Sequence, residues 1–405
     1  MSRFLFVVPP FTGHVNPTIG VAGELVRRGH EVAWAGVPGG TEGLLPAGST
    51  FFSAVPDEVA AYVGEAGERR DDARGAAGFK FLQEEVLLPL ADHMVDGVDA
   101  AIDAFGADVL IVDQQALGGA VVARRRGIPW ATSATTSAEL VDPLAALPKV
   151  AEAMHQLRVD LQVRHGISPE VAEAGDLRLS PQLVLAYTVE ELTGSLAGMP
   201  AGASPVAFVG PCATGRPQSC SFPWERLSDD PAVPNVLVSL GTLNADVGER
   251  FWLAAAEAFR DQPWVGVFVA PDHLVPDPPA NVIVQARVPQ LDLLPRMRAV
   301  VSHAGHNTVC ESLAAGIPLV VAPIRDDQPV VADQVVRAGA GVRVKFARVR
   351  ADALRAGIEQ AISDPDLRSA AARVQAAFEE AGGPTAAADA LISLAATSPR
   401  SQPRP

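Results

Sequence analysis

Short apolar runs rich in Val, Ile and Leu recur along the chain, separated by longer segments of mixed polarity. Phe4 to Val8, Glu31 to Ala35, Asp108 to Val112 and Ile128 to Ser133 have the length and near-continuous apolarity of strands covered on both faces. Leu183 to Ala186 and Val206 to Val209 read the same way. Between them, Ile19 to Arg28 has helical length and a Gly29-His30 stop. Residues 79 to 105 look largely helical, and a further helix ends at Arg124-Arg125-Arg126-Gly127. Residues 9 to 17 read as a loop, with Pro17 suited to the first turn of the helix that follows. Residues 36 to 80, rich in Gly, Ala, Glu and Arg, read as mobile loops, and residues 138 to 175 as helical with breaks at Pro143, Pro148 and Gly166.

The pattern then restarts. Residues 211 to 234 hold five prolines and no periodicity, the composition of a linker. After it, Asn235 to Ser239, Val265 to Ala270, Val282 to Gln285, Ala299 to Ser302 and Leu319 to Ala322 read as buried strands. Helices are expected at Arg250 to Arg260, Thr308 to Ala315, Ala351 to Ser363, Leu367 to Ala381 and Thr385 to Ala395. Strands alternating with helices in both halves predict an α/β protein with two doubly wound parallel sheets. The expected division is a domain over 1–210, a linker over 211–234, a second domain over 235–380, a helix over 381–396 and a disordered tail over 397–405. In such sheets the loops at the carboxyl ends of the strands form the ligand crevice. His14 and Asp113 both lie at such ends in the first half.

Composition narrows the function. Lys and Arg number 32 against 47 Asp and Glu, a formal net charge of −15. Binding a polyanion relies on basic side chains displacing counterions, so nucleic acid is excluded as the expected partner and any phosphate must be held locally. The Arg124–Arg126 triplet reads as a solvated helix end that complements the dipole. The three cysteines are an odd count with no paired framework, and Cys212 and Cys220 lack the short spacing and nearby histidine of a zinc site. Asp364-Pro365-Asp366 has the form of a metal-binding D-x-D but reads as a cap and turn, so no metal and no cofactor are expected. No apolar run approaches the ~20 residues needed to cross a bilayer. The start, MSRFLFVVPP, is too short in its apolar part for a secretory signal, which leaves the cytoplasm as the expected compartment.

The stretch Ala299 to Gln328 carries the clearest chemistry. A strand leads into the small, polar turn His303-Ala304-Gly305-His306-Asn307 and then a helix start, an arrangement that binds anions through backbone N–H groups and the helix dipole. His303, Asn307 and Thr308 add side-chain donors, and Asp327 and Gln328 sit past the next strand, where they can grip a hydroxylated group. Thr308-Val-Cys-Glu311 also fits a capping box, which explains both polar residues with no ligand at all. The two readings stand side by side on spacing alone. A nicotinamide-dependent oxidoreductase would need G-x-G-x-x-G after a strand, and neither PPFTGHVNP nor Ser239-Leu240-Gly241-Thr242 supplies it.

The block VPQLDLLP…HAGHNTVCESLAAGIPLVVAPIRDDQ resembles the donor-binding signature of the family 1, GT-B glycosyltransferases, and similarity of order and spacing runs over residues 1 to 395. The resemblance implies two facing Rossmann-like domains, with the last helix crossing back onto the first. It implies a metal-independent, inverting transfer of sugar from a UDP- or dTDP-sugar to a hydroxyl of a hydrophobic natural product. Gly13-His14-Val15-Asn16-Pro17 matches the family's G-H-x-x-P loop, which makes His14 the catalytic base. Asp113, after its strand, is matched to the partner that orients it, and Asn16 helps shape the site. His303, Gly305, Asn307 and Thr308 are matched to diphosphate contacts, Glu311 to the ribose, Asp327 and Gln328 to the donor sugar, Val288 and Gln290 to base and ribose, and Gly241 and Thr242 to a turn near the phosphates.

Two positions depart from the pattern. Arg287 stands where the family commonly has a Trp that stacks on the base, and a guanidinium can also stack there. His306 stands where a small residue is usual; it reads first as a surface histidine and second as an extra phosphate donor. A non-catalytic sugar-nucleotide-binding helper and a nucleotide-sugar epimerase on the same fold are the alternatives. The acceptor, the donor sugar and the oligomeric state are not legible, and a homodimer stays open.

Overall fold

The computed structural model describes residues 1–61, 80–141, 144, 147–197, 204–216, 220–241 and 248–397. Thr242, residues 62–79 of the expected mobile segment 36 to 80 and nearly all of the expected disordered tail lie outside these residues. The chain divides into two compact units. The first holds Met1–Tyr187, Ser195–Arg216 and Ala381–Pro405, and the second holds Thr188–Gly194 and Pro217–Glu380.

The first unit is built on a seven-stranded parallel sheet. Its strands are β1 (Arg3–Val7), β2 (Glu31–Gly36), β3 (Phe51–Ser53), β4 (Val109–Asp113), β5 (Trp130–Ala134), β6 (Val184–Ala186) and β7 (Val206–Phe208), in the order β3-β2-β1-β4-β5-β6-β7. The apolar runs are continuous because both faces are covered. Leu5, Val7, Leu110 and Val112 pack with Met94, Val95 and Val121 from α2 (Leu88–Phe105) and α3 (Leu117–Arg126). Phe4, Phe6, Val109 and Ile111 pack on the other side with Val15, Ile19 and Leu25 of α1 (Thr12–Arg27). Each such side chain, removed fully from water, contributes roughly 1.5–3 kcal/mol.

Several boundaries differ from the sequence expectation. Residues expected as a loop before Ile19 are the first turns of α1: His14 and Val15 both donate backbone hydrogen bonds to Phe11, so the helix is under way before Pro17. Within the segment 138 to 175 the helices are α4 (Pro148–Arg164) and a short turn Pro169–Glu173 capped by the Ser168 side chain, bounded at the expected breaks Pro148 and Gly166, while Pro143 lies outside the described residues. The arginine triplet is not simply solvated. Arg126 forks onto Asp103 and also reaches Asp99 of α2, while Arg124 donates to Gln162 of α4 at 2.7 Å.

The second unit has a six-stranded parallel sheet in the order β10-β9-β8-β11-β12-β13. Its strands are β8 (Asn235–Ser239), β9 (Val265–Val269), β10 (Val282–Gln285), β11 (Ala299–Ser302), β12 (Leu319–Val321) and β13 (Gly341–Arg343). Helices α5 (Glu249–Phe259), α6 (His306–Ala314), α7 (Gln328–Arg337), α8 (Ala351–Ser363) and α9 (Pro365–Ala381) complete it. Neither α7 nor β13 was anticipated. Asp364 accepts from the Asp366 backbone N–H at 2.9 Å between α8 and α9, the geometry of a cap and turn. The last helix, α10 (Gly383–Thr397), belongs to the first unit, where Ala387, Ala388, Leu391 and Leu394 join the core beside α1.

Candidate functional site

In the first unit, Asp113 is the last residue of β4, paired in register with Ser133 of β5. Residues 109, 111 and 113 on β4 and 131 and 133 on β5, with 135 just past its end, alternate onto the face that carries α1, so α1 presents His14 above two strand ends. His14 Nδ1 lies 2.9 Å from Asp113 Oδ1 and 3.0 Å from Oδ2. The carboxylate is fully buried and the imidazole is 15% exposed. Asp113 Oδ1 also accepts from the Gln115 backbone N–H at 2.8 Å, and Oδ2 accepts from the Thr135 hydroxyl at 2.8 Å. Thr135 Oγ1 is in turn 2.8 Å from His14 Nδ1.

Below this layer Ser133 and Tyr187 meet at 3.2 Å, and burial, with the neighbouring Cys212 and Asp113, pushes the Tyr187 phenol up. Above it, the Phe11 ring meets His14 edge-on at 5.7 Å and packs against Leu82, Val86 and Leu87. Those three lie on a π-helical stretch, Leu82–Leu87, that runs into α2. Asn16 is half-buried on α1.

In the second unit, β11 runs through a short turn at His303–Gly305 into α6. His303 is buried, and two glycines approach its ring closely. A Cβ at Gly241 would fall 2.6 Å from His303 Cε1, and one at Gly305 2.5 Å from Nε2, so a side chain at either position would run into the ring. Gly241 has φ +75°. Ala304, at φ +68°, holds the left-handed conformation that turns the chain from β11 into α6. Strain of this kind in a non-glycine residue concentrates at functional turns. Burial, opposed by the Ser239 backbone and assisted by the Arg325 guanidinium, lowers the His303 imidazole to about 4, so it is neutral at pH 7. Among the described residues its Nδ1 is buried with no hydrogen-bond partner.

The capping-box reading fails. α6 starts at His306 with Gly305 as its N-cap, no side chain caps it, and Glu311 instead receives a 2.6 Å hydrogen bond from Gln290 Nε2. The helix starts two residues early because Gly305 already has extended backbone, which frees Thr308 from the cap position. The first turn therefore offers its N–H groups outward beside His303. Asn307 is half-buried and Thr308 buried in that turn. His306 is buried, 5% exposed, with Nε2 3.5 Å from Cys310 Sγ, so it is not a surface histidine.

Of the remaining expected contacts, Val288 is half-buried and Arg287 is exposed just past the end of β10. Asp327 is the N-cap residue of α7 and half-buried. Gln328 is buried, and its Oε1 accepts from the Ile324 and Arg325 N–H groups at 2.9 and 3.1 Å, which folds the turn after β12. Arg325, buried and within electrostatic range of His303, was not singled out from the sequence; nor was Thr135. Among the described residues no group of three or more His, Cys, Asp or Glu side chains is placed to hold a metal, and no helix is long and apolar enough to cross a membrane.

The family described as UDP-glucoronosyl and UDP-glucosyl transferase matches residues 197–378. Over its length the chain is 31% identical to 4'-demethylrebeccamycin synthase of Lentzea aerocolonigenes, covering 92% of this chain and 95% of that one. It is 29% identical to demethyllactenocin mycarosyltransferase of Streptomyces fradiae, covering 97% and 87% respectively. Among solved structures, the glycosyltransferase of kitacinnamycin superimposes with a TM-score of 0.75 at 26% identity, over 97% of this chain and 98% of that one.

Proposed function

The chain belongs to the UDP-glucoronosyl and UDP-glucosyl transferase family and is a glycosyltransferase of the GT-B fold, and from that premise we propose the reaction and the residues that carry it. It moves a sugar from a UDP- or dTDP-sugar to a hydroxyl of a hydrophobic natural product, with inversion at the anomeric carbon. The observation that carries this reading is the contact of His14 Nδ1 with the buried Asp113 carboxylate. The carboxylate accepts a hydrogen bond from Nδ1–H, which leaves the Nε2 lone pair as the base. Phe11 and the apolar Leu82, Val86 and Leu87 beside it suit a hydrophobic acceptor.

In the proposed step the acceptor O–H proton passes to His14 Nε2 while the oxygen attacks the anomeric carbon. The bond from that carbon to the diphosphate oxygen breaks, and its electron pair leaves with the nucleoside diphosphate. Asp113 stabilises the imidazolium that forms. The growing negative charge on the leaving group is met by the first turn of α6 and by His303, whose neutral ring supplies a hydrogen bond rather than a charge. Glu311, tied to Gln290, takes the ribose, and Asp327 takes sugar hydroxyls. Gln328 acts mainly by shaping the turn that holds Asp327 in place.

A positioned base is worth about 10²–10⁴ in rate. His14→Ala is therefore expected to lose kcat by that factor while still binding UDP or dTDP, and Asp113→Asn to lose most of the same factor. Steady-state transfer assays with a thermal-shift control for nucleotide binding check both. Full transfer by His14→Ala would overturn the assignment, and failure of every nucleoside diphosphate to raise Tm would overturn the donor reading.

A further inference from the structure

We propose that Thr135 is the third member of the His14–Asp113 pair, a positioning residue whose hydroxyl fixes which imidazole nitrogen is left as the base. The inference rests on His14 being that base. The hydroxyl has a single proton, and the geometry commits it to Asp113: an ionised carboxylate can only accept, and Oδ2 lies 2.8 Å from Thr135 Oγ1. Toward His14 the same oxygen can then act only as an acceptor, and at 2.8 Å it is the nearest of the three oxygens around Nδ1, ahead of Asp113 Oδ1 at 2.9 Å and Oδ2 at 3.0 Å. All three oxygens ask for a proton on Nδ1, and none can give one. The neutral ring is thereby held in the tautomer whose lone pair is on Nε2.

The hydroxyl also restrains the carboxylate. Asp113 Oδ1 is anchored by the Gln115 N–H at 2.8 Å and Oδ2 by Thr135, so the plane of the group is set from both ends. With Asp113 alone, Nδ1 would sit almost symmetrically astride the two oxygens and the ring could rock about that axis. The off-axis contact from Thr135 removes this freedom. Fold and sequence put the hydroxyl there for a simple reason. Thr135 follows Ala134 at the end of β5, and alternation along the strand turns residues 131, 133 and 135 to the face of α1. Thr136, one step on, faces elsewhere and accepts from the Ala138 N–H as the cap of the next turn. The two threonines are therefore not interchangeable.

The test compares Thr135→Val, which deletes the hydroxyl at nearly constant shape, with Thr135→Ser, which restores it. Thr135→Ala serves as a second deletion should Val fail to fold. The full chain is labelled with ¹⁵N-histidine, and the His14 resonance is assigned from its loss in His14→Ala. Wild type and Thr135→Ser are expected to show the neutral ring protonated on Nδ1, and the deletions a mixture of tautomers. With UDP-glucose and 4-methylumbelliferone as probes, the deletions should lower kcat about tenfold and leave the donor KM within twofold, with Thr135→Ser close to wild type. A structural role alone would move Tm and KM and would not be rescued at the tautomer. Wild-type kcat and tautomer in Thr135→Val, or equal impairment in Thr135→Ser, would overturn the inference. If instead His14→Ala keeps its activity, the base reading falls, and the spectrum reports the tautomer independently of it.

Discussion

A cationic imidazole at position 303 would be the simplest partner for a diphosphate, yet the fold opposes it. His303 is closed in by Gly241 and Gly305, and burial takes its imidazole from 6.5 to about 4. The folded-state pKa lies below the unfolded one, so as pH falls from about 6.5 to about 4 the unfolded chain takes up a proton that the folded chain refuses. Stability is therefore fully present above that window and is lost downward through it, by at most about 3–4 kcal/mol at 1.36 kcal/mol per pH unit. Urea midpoints measured from pH 7 to pH 4 should fall more steeply for the wild type than for His303→Asn, and parallel curves would show that the ring is solvated after all. What could be read of such residues from sequence was uneven. His303 and Asp113 carry type and position in a recognisable run, whereas Thr135 lies 121 residues from His14, and it takes the pairing of β1 with β4 and of β4 with β5 to bring them together. Nothing in its neighbours separates Thr135 from Thr136 except the alternation of the strand. His306 misled for the converse reason: a histidine after a glycine turn looks exposed, and only the packing of α6 shows it buried against Cys310.

At the scale of elements, strands buried on both faces were legible because continuous Val/Ile/Leu runs have few other uses, and β1, β4, β8 and β11 lie where their runs do. Helix starts were harder. Gly13 and Pro17 look like loop residues, but α1 begins ahead of both at Thr12. α7 was passed over because Asp327 and Gln328 were read for their polar groups, although Val331, Ala332 and Val335 beyond them form a buried stripe at helical spacing. The end of α3 shows how a plain helix terminus becomes a joint. Arg126 sits a quarter exposed between Asp99, 30% exposed, and Asp103, 72% exposed. Ion pairs this wet are screened and are worth about 0–1 kcal/mol each. Arg126→Ala should therefore cost no more than about 1.5 kcal/mol, and less in 0.5 M salt, by chemical denaturation. A larger, salt-independent loss would mean that the aliphatic stem of Arg126, rather than its charge, joins α3 to α2.

At the scale of the whole chain, the first unit is assembled from both ends of the sequence, and this sets how the protein can be cut. Its outer core joins Phe4, Phe6, Val15 and Ile19 to Leu391 and Leu394, which enter on α10 after the whole of the second sheet has been laid down. α10 is tied at its start by the Gly383 N–H to the Val209 carbonyl at 2.8 Å, and along its length by Arg28, which pairs with Asp389 and donates to the Thr385 carbonyl. The tie itself is partly exposed and contributes little, so the apolar stripe decides. Leu391 is fully buried, and replacing such a leucine by alanine costs about 2–5 kcal/mol, whereas Arg28→Ala should cost under about 1 kcal/mol. Truncation before Gly383 removes the whole stripe and bares Val15, Ile19 and Leu25 of α1. The expected result is a lower-melting first unit beside a second unit that still melts at its own temperature and is still raised by UDP, seen as two transitions in calorimetry where the full chain is compared. A single, unshifted transition in the truncated chain would show that α1 closes the core without α10, and that the return of the chain to its first sheet serves something other than stability.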